Sequence, residues 1–301
     1  MFLKRIISVA ILLMIVIIIN SCNTSDPSNG ITDNAAATTE GVKYNTFTGM
    51  KPLDEIDYIA DDKNNEKGLS EQKIAHSFGV AKNGEPHNIS VEAQKYFSDC
   101  GYKAIAYDSD TKEKVLYLTF DCGYENGLTE KILDTLKEKN VKAAFFCTLD
   151  DIKSSPEIIA RMIREGHVVG NHSDSHPSFA EIDRQTMADE IESCENYLRK
   201  NFGYASKYFR FPKGEYTESA LNLVDSLGYS SIFWSLAYSD WDCDNQKGAQ
   251  YAFDTVTSRL HPGAIILLHS VSSDNAEAMG RIIDYATENG YKFLSLDELD
   301  F

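Results

Sequence analysis

The chain has 301 residues, 43% of them hydrophobic, 11% aromatic and 25% charged, enough apolar mass for one large domain or two small ones. That composition excludes a disordered protein, a collagen-like fibre and a polytopic membrane protein. With 29 Lys+Arg against 46 Asp+Glu and a formal net charge of -17, the chain would be repelled by phosphate backbones, so no nucleic-acid partner is expected.

Lys4 and Arg5 precede an apolar run from Ile6 to Ile19 that is broken only by Ser8. As a helix this run would be about 21 Å long, short of a bilayer core of about 30 Å, so it reads as a secretory signal. It ends Ile19-Asn20-Ser21-Cys22, a small residue followed by cysteine, as in a bacterial lipoprotein signal. Residues 1–22 are therefore expected to be the signal, with Cys22 carrying a lipid that holds the mature protein to the outer face of the cell membrane. A simple secreted protein and an uncleaved anchor are the alternatives. The other cysteines are Cys100, Cys122, Cys147, Cys194 and Cys243, an odd set with no Cys-x-x-Cys pair. They support neither a zinc ribbon nor a disulfide scaffold.

Residues 23–70 are rich in Ser, Thr, Asn, Asp and Gly and are expected to form a flexible polar linker. Residues 76–114 are mixed and read as a covering lead-in segment. From Val115 onward, short apolar runs alternate with amphipathic stretches. The strand candidates are Val115–Asp121, Ala143–Cys147, His167–His172, Lys207–Phe211, Ser230–Trp234, Ala264–His269 and Lys292–Leu296. Between them, Ser155-Pro156-Glu157 reads as a helix start and Gly166 as that helix's end. Met187, Ile191, Cys194 and Leu198 form one helical face. Further helices are expected over Thr217–Gly228 and Asn275–Asn289. Strand and helix alternation implies parallel strands with right-handed crossovers. The seven candidates suggest an α/β fold with a distorted, incomplete (β/α) barrel; an open doubly wound sheet is the alternative.

The polar residues gather at strand ends. The strand candidates deliver Asp121 and Cys122, then His172 with His176 four residues on, then Arg210 with Lys213 and Gly214 beyond it. Asp240 and Trp241 follow Trp234 and Tyr238, and His269 ends the strand after that. In a β/α barrel those ends share one rim, and the rim carries the chemistry. Singly, each residue has a plainer explanation: Asp121 a helix cap, Arg210 a surface pair, His269 a satisfied core histidine, Cys122 a small buried filler. Jointly, those explanations require the same rim to be populated by coincidence.

The segments TFDCG, HSDSHP, RFPKG, SDW and LLH resemble, in order and spacing, the five motifs of the polysaccharide deacetylases, carbohydrate esterase family four. The likeness covers about residues 75–301, the expected catalytic domain. Within the family, TFDCGYENG, RFPKGEY and HPGAIILLHSVSSDNAEAM are most similar to the delta-lactam-biosynthetic branch, which acts on muramic acid in spore cortex peptidoglycan. The resemblance implies a seven-stranded β/α barrel and one divalent metal ion. It also implies Asp121 as general base, His172 and His176 as metal ligands and Arg210 as the residue orienting Asp121. His269 would be the general acid, oriented by Asp240.

The family commonly carries a second Asp, a metal ligand, where this chain has Cys122. Either Cys122 binds the metal as a thiolate, which with imidazoles would favour zinc, or two protein ligands and waters suffice. Tyr238, Trp234 and Trp241 have faces suited to sugar stacking, with core packing the alternative for Trp234. Lys213 is placed to pair with a lactyl carboxylate, and the loop ending at Gly214 to donate backbone N–H groups to an oxyanion. The expected substrate is a peptidoglycan glycan strand outside the cytoplasm. The alternatives are a deacetylase of N-acetylglucosamine polymers or acetyl-xylan, and a non-catalytic wall-binding lipoprotein.

Overall fold

The computed structural model describes residues 38–39 and 42–300. The expected signal, Cys22 and the start of the expected linker lie outside the described residues. The central sheet contains β1 (Ala104–Ile105), β2 (Val115–Cys122), β3 (Ala144–Cys147), β4 (Val168–Asn171), β5 (Tyr208–Phe209), β6 (Ser230–Ile232), β7 (Ala264–His269) and β8 (Lys292–Leu294). Its spatial order is β7-β2-β3-β4-β5-β6-β1, and β8 pairs with the first half of β2. All of these ladders are parallel. Just beyond β6, Leu236 bridges Ile266 of β7 in parallel, and the Leu267 N–H donates to the Leu236 carbonyl at 2.9 Å. The sheet thus curls until its ends meet, which gives a distorted barrel and not an open sheet.

The alternation of side chains along β2 explains why its first six residues are apolar but for Thr119, whose hydroxyl donates to the Ile266 carbonyl. Leu116, Leu118, Phe120 and Cys122 face the surrounding helices. Val115 and Tyr117 face the barrel interior with Phe146, Trp234 and Ile265. A parallel strand covered on both faces has no polar side to show. The outer layer comprises α1 (Asn88–Cys100), α2 (Thr129–Glu138), α3 (Leu149–Ser154), α4 (Pro156–Arg164), α5 (Arg184–Phe202), α6 (Glu218–Ser226), α7 (Ala249–Thr257) and α8 (Ser273–Glu288). Five helices start on side-chain caps, α1 on His87 and α3 on Thr148 among them. Asp183 accepts from Thr186 N–H, Thr217 from Ala220 N–H and Ser272 from Asn275 N–H. Each such cap contributes about 1 kcal/mol. Ser155 does not cap α4 with its side chain, although Pro156 does occupy the first turn. The Ser155 N–H closes the preceding α3 onto the Asp151 carbonyl.

The lead-in segment is more than a cover. It supplies α1 and the edge strand β1, whose Ala104 and Ile105 pair with Ser231 and Ile232. Ile74–Ala75 pairs antiparallel with Glu215–Tyr216, beside the loop that follows β5. The later part of the expected linker is also tied down. The Ile56 N–H and carbonyl both bond to the Asn196 amide, and the Leu53 N–H donates to the Arg199 carbonyl. The Thr48 hydroxyl donates to the Phe202 carbonyl at 2.8 Å. Residues 48–60 therefore run as a strap along α5 instead of a free tether. Among the described residues, no helix is long and apolar enough to cross a membrane.

Candidate active site

Strand register builds the site. Asp121 and His269 are register partners across β2 and β7, Cys122 pairs with Cys147, Cys147 with Asn171, and Asn171 with Phe209. His172 and Arg210 each follow immediately in sequence. Four polar residues from four strands are therefore level at the C-terminal rim. Asp121, His172 and His269 open onto a cleft of about 800 Å³ that also receives His176, Lys213, Trp241 and Tyr124, while Arg210 is buried behind them.

Asp121 is held from one side. Arg210 is fully buried and donates from Nη1 to Asp121 Oδ1 at 2.8 Å. Its remaining nitrogens donate to the Ile232 and Phe233 carbonyls, and its guanidinium lies 4.1 Å from the centre of the Phe146 ring. The guanidinium is thus positioned by two backbone carbonyls and a ring face before it meets Asp121. Burial works to raise the Asp121 pKa, but the charge of Arg210, with His172 and His269 behind it, outweighs burial and holds the carboxyl below the ordinary carboxylate range.

The two histidines of the HSDSHP segment meet edge to face, with ring centroids 4.8 Å apart and an interplanar angle of 70°. Ser173 and His176 both take left-handed backbone, at φ 72° and 59°. This strained loop turns the second ring back toward the first. His172 Nδ1 lies 2.8 Å from the Arg210 carbonyl, which can only accept, so Nδ1 carries the proton and Nε2 presents a lone pair. That lone pair faces Asp121 Oδ2 at 3.5 Å. Burial holds His172 below its usual pKa, and burial followed by the neighbouring His172 takes His176 down to about 4. Neutral imidazole lone pairs facing a carboxylate repel unless a cation lies between them. The donor set therefore fits a divalent metal ion, with the Nδ1–H to carbonyl bond orienting the ligand ring.

Cys122 points elsewhere. As Asp121 faces the cleft, its neighbour in the strand faces the helices. Among the described residues, Cys122, Cys147 and Asp151 offer ligand atoms that lie within 4.8 Å of one another, a set that includes neither His172 nor His176.

His269 is held by the opposite wall. Its Nδ1 lies 2.7 Å from Asp240 Oδ1, and its backbone N–H donates to Asp240 Oδ2 at 2.8 Å. Asn275 donates to the same Oδ2 at 2.6 Å and accepts from the Tyr238 hydroxyl at 2.6 Å. Burial disfavours a charged His269, but the Asp240 hydrogen bond and charge, with Asp121 adding to them, overcome it and raise its pKa. The rim therefore carries an anionic carboxylate and a readily protonated imidazole on adjacent strands, one suited to taking a proton and the other to giving one.

The residues expected to touch sugar divide into two groups. Trp241 is half exposed, with its ring 5.7 Å from that of His269, and Lys213 is exposed on the cleft wall with φ 60°. Tyr238 is buried and spends its hydroxyl on Asn275, so its contribution is to hold the Asp240 network rather than to stack on a sugar. Trp234 is buried in the wall of the cleft. Gly214 N–H donates to the Phe211 carbonyl, and its own carbonyl accepts from His76 N–H, so it is not a free oxyanion donor. Its φ is 66°, and a Cβ there would come within 2.8 Å of both the His76 carbonyl and the Trp234 ring, which explains the glycine. Sequence reasoning missed Tyr124, exposed at the mouth, and Asn275, whose only signal was its place in the segment after His269.

Comparison with known proteins gives a consistent result. Residues 108–232 match the family model described as polysaccharide deacetylase. A peptidoglycan-N-acetylmuramic acid deacetylase of Bacillus subtilis, PdaA, is 45% identical over 196 residues, 65% of this chain and 74% of that protein. A peptidoglycan-N-acetylglucosamine deacetylase of Bacillus cereus is 33% identical over 65% of this chain and 72% of its own length. The solved structure of Bacillus subtilis PdaA, described as a family 4 carbohydrate esterase, superposes with a TM-score of 0.72 at 39% identity, covering 77% of this chain and 98% of that one. With its barrel, its rim and these relatives, the chain belongs to the polysaccharide deacetylases of carbohydrate esterase family four, hydrolases that act on amide bonds.

Proposed function

We propose that this chain removes the acetyl group from N-acetylmuramic acid residues of peptidoglycan strands outside the cytoplasmic membrane. The reading is carried by the meeting of Asp121, His172, His176 and His269 at one cleft, in a chain so similar to a relative named for that activity. His172 and His176 would hold one divalent cation, with zinc favoured by paired imidazoles. When bound, that ion supplies polarisation of the acetyl carbonyl and a water more acidic than bulk.

The chain's own residues do the rest. Arg210 occupies Asp121 Oδ1, and Oδ2, which faces His172 Nε2, is the oxygen that would take the proton of the attacking water. His269 gives its Nε2 proton to the departing sugar nitrogen, and Asp240 holds Nδ1 so that the ring is charged and correctly turned. Acetate leaves and a free amine remains on the sugar, without an acyl-enzyme. On muramic acid that amine lies beside the lactyl group, which suits later closure of a delta-lactam of the spore cortex type.

Lys213 gives the cleft a cation where a lactyl carboxylate would lie. Trp241, with Tyr124, gives it exposed rings for sugar stacking. A lipid on Cys22 would hold residues 75–301 at the membrane beside their substrate, with residues 23–47 and the α5 strap between. A second reading, deacetylation of N-acetylglucosamine, is favoured by the likeness to the Bacillus cereus enzyme. Incubation with peptide-stripped peptidoglycan, acetate measurement and mass identification of the deacetylated sugar separate the two. Acetate with free muramic amine supports the first, and acetate with free glucosamine amine alone replaces it.

A further inference from the structure

Behind the catalytic carboxylate lies a group of side chains with no part in the proposed reaction. Cys122 and Cys147 are register neighbours on β2 and β3, with both thiols on the helix-facing side of the sheet. Asp151, in the first turn of α3, sends a carboxylate oxygen to within 4.8 Å of both sulfurs. All three residues are buried, Asp151 at only 5% exposure. Among the described residues, no Lys, Arg or His pairs with Asp151 within 4.0 Å. Its own N–H donates to the Thr148 hydroxyl, and its carboxylate is hydrogen-bonded to the Cys147 thiol. A buried acid without a cation is costly unless something neutralises it.

Two sulfurs and a carboxylate oxygen in one pocket form the donor set of a borderline-soft divalent ion. Ser270 Oγ donates to the Cys122 sulfur at 3.3 Å. Cys122, although its thiol is turned to the helices, borders the cleft together with Thr148.

We propose that Cys122, Cys147 and Asp151 form a second, structural cation site for a zinc-class ion, separate from the His172 and His176 pair. On binding, the two thiol protons leave to solvent and both sulfurs bind as thiolates, with Asp151 as the third ligand. The site ties the end of β2, one residue from Asp121, to β3 and α3. It does not depend on the substrate proposed above, since it needs no glycan and no turnover.

The test uses the full chain, reduced and metal-free, titrated with Co²⁺ while the thiolate-to-cobalt charge-transfer band in the near ultraviolet is followed. The expected result is a band that survives in the double variant His172→Gln/His176→Gln and is lost in Cys147→Ser and in Asp151→Asn. No band in the wild-type chain overturns the proposal. So does a band that is lost in the histidine variant and kept in Cys147→Ser, because Cys122 would then serve the imidazole site. Zn²⁺-induced thermal stabilisation provides a second readout. In the histidine double variant, Zn²⁺ should raise Tm, and adding the near-isosteric Asp151→Asn should abolish that rise while leaving the metal-free Tm close to its starting value. A rise that persists with Asp151→Asn contradicts the site.

Discussion

Replacing Asp240 by Asn tests how the proton on His269 is controlled. In the native chain, Asp240 Oδ1 takes the His269 Nδ1–H, while Oδ2 takes two further donors, the His269 N–H and the Asn275 amide. An asparagine has one acceptor oxygen. If that oxygen serves Nδ1, the new amide faces two N–H donors and leaves both unpaired, at about 1–3 kcal/mol each. The charge-assisted bond to Nδ1 is also lost, and such bonds are worth about 1.5–3 kcal/mol, equivalent to about one to two pKa units. His269 is raised above its ordinary value because Asp240 outweighs burial, so without that carboxylate burial alone should push it below. The proton on His269 is needed at the moment the amine leaves. Acetate release followed against pH should therefore show its alkaline limb move down by about one to two units, with kcat reduced at every pH. Thermal unfolding of the same variant should show lower stability from the orphaned donors. An alkaline limb that stays in place while kcat falls uniformly would refute the assignment of His269's charge to Asp240.

Asp121→Asn should lower kcat by at least about 10²-fold while leaving metal content near that of the wild type, measured by acetate release and elemental analysis. Lys213→Ala should raise KM for muramic strands and leave KM for N-acetylglucosamine oligomers unchanged; equal values on both would remove Lys213 from substrate selection. Chelation should abolish turnover and added Zn²⁺ should restore it, read as acetate released. Burial holds His76 and His167 down at about 4, below the unfolded value of about 6.5. Between those values the unfolded chain binds more protons, so stability is fully present above the upper value and falls as pH drops toward the lower. Each ring contributes about 3 kcal/mol over that window. Urea midpoints at successive pH values should show the fall, and His76→Gln should make it shallower.

The barrel was legible because its longer strands are covered on both faces. VLYLTF and AIILL are apolar but for Thr119 for that reason, and the polar residues that follow them, Asp121 and His269, mark the rim. β1 was not legible. Its two residues carry no period, and their place comes from pairing with Ser231 and Ile232, more than a hundred positions away. The strap over residues 48–60 reads as a tether by composition, since it is held largely by amides and carbonyls of α5, with only Tyr58 and Ala60 reaching the core. In the site, the order of the motifs placed Asp121, His172, Arg210 and His269. What escaped was direction. Tyr238 turns its hydroxyl to Asn275, and Cys122 follows strand alternation away from the cleft. That alternation could have been read from Asp121 alone, whereas the Tyr238 bond depends on a residue 37 positions later.

The most direct test of the central claim is acetate release from peptide-free peptidoglycan strands by the zinc-loaded chain, with the product sugar identified by mass. The account predicts one acetate for each new muramic amine, and none from the Asp121→Asn variant under the same conditions. Strands bound but returned with every acetyl group in place, or an Asp121→Asn variant as active as the wild type, would contradict it.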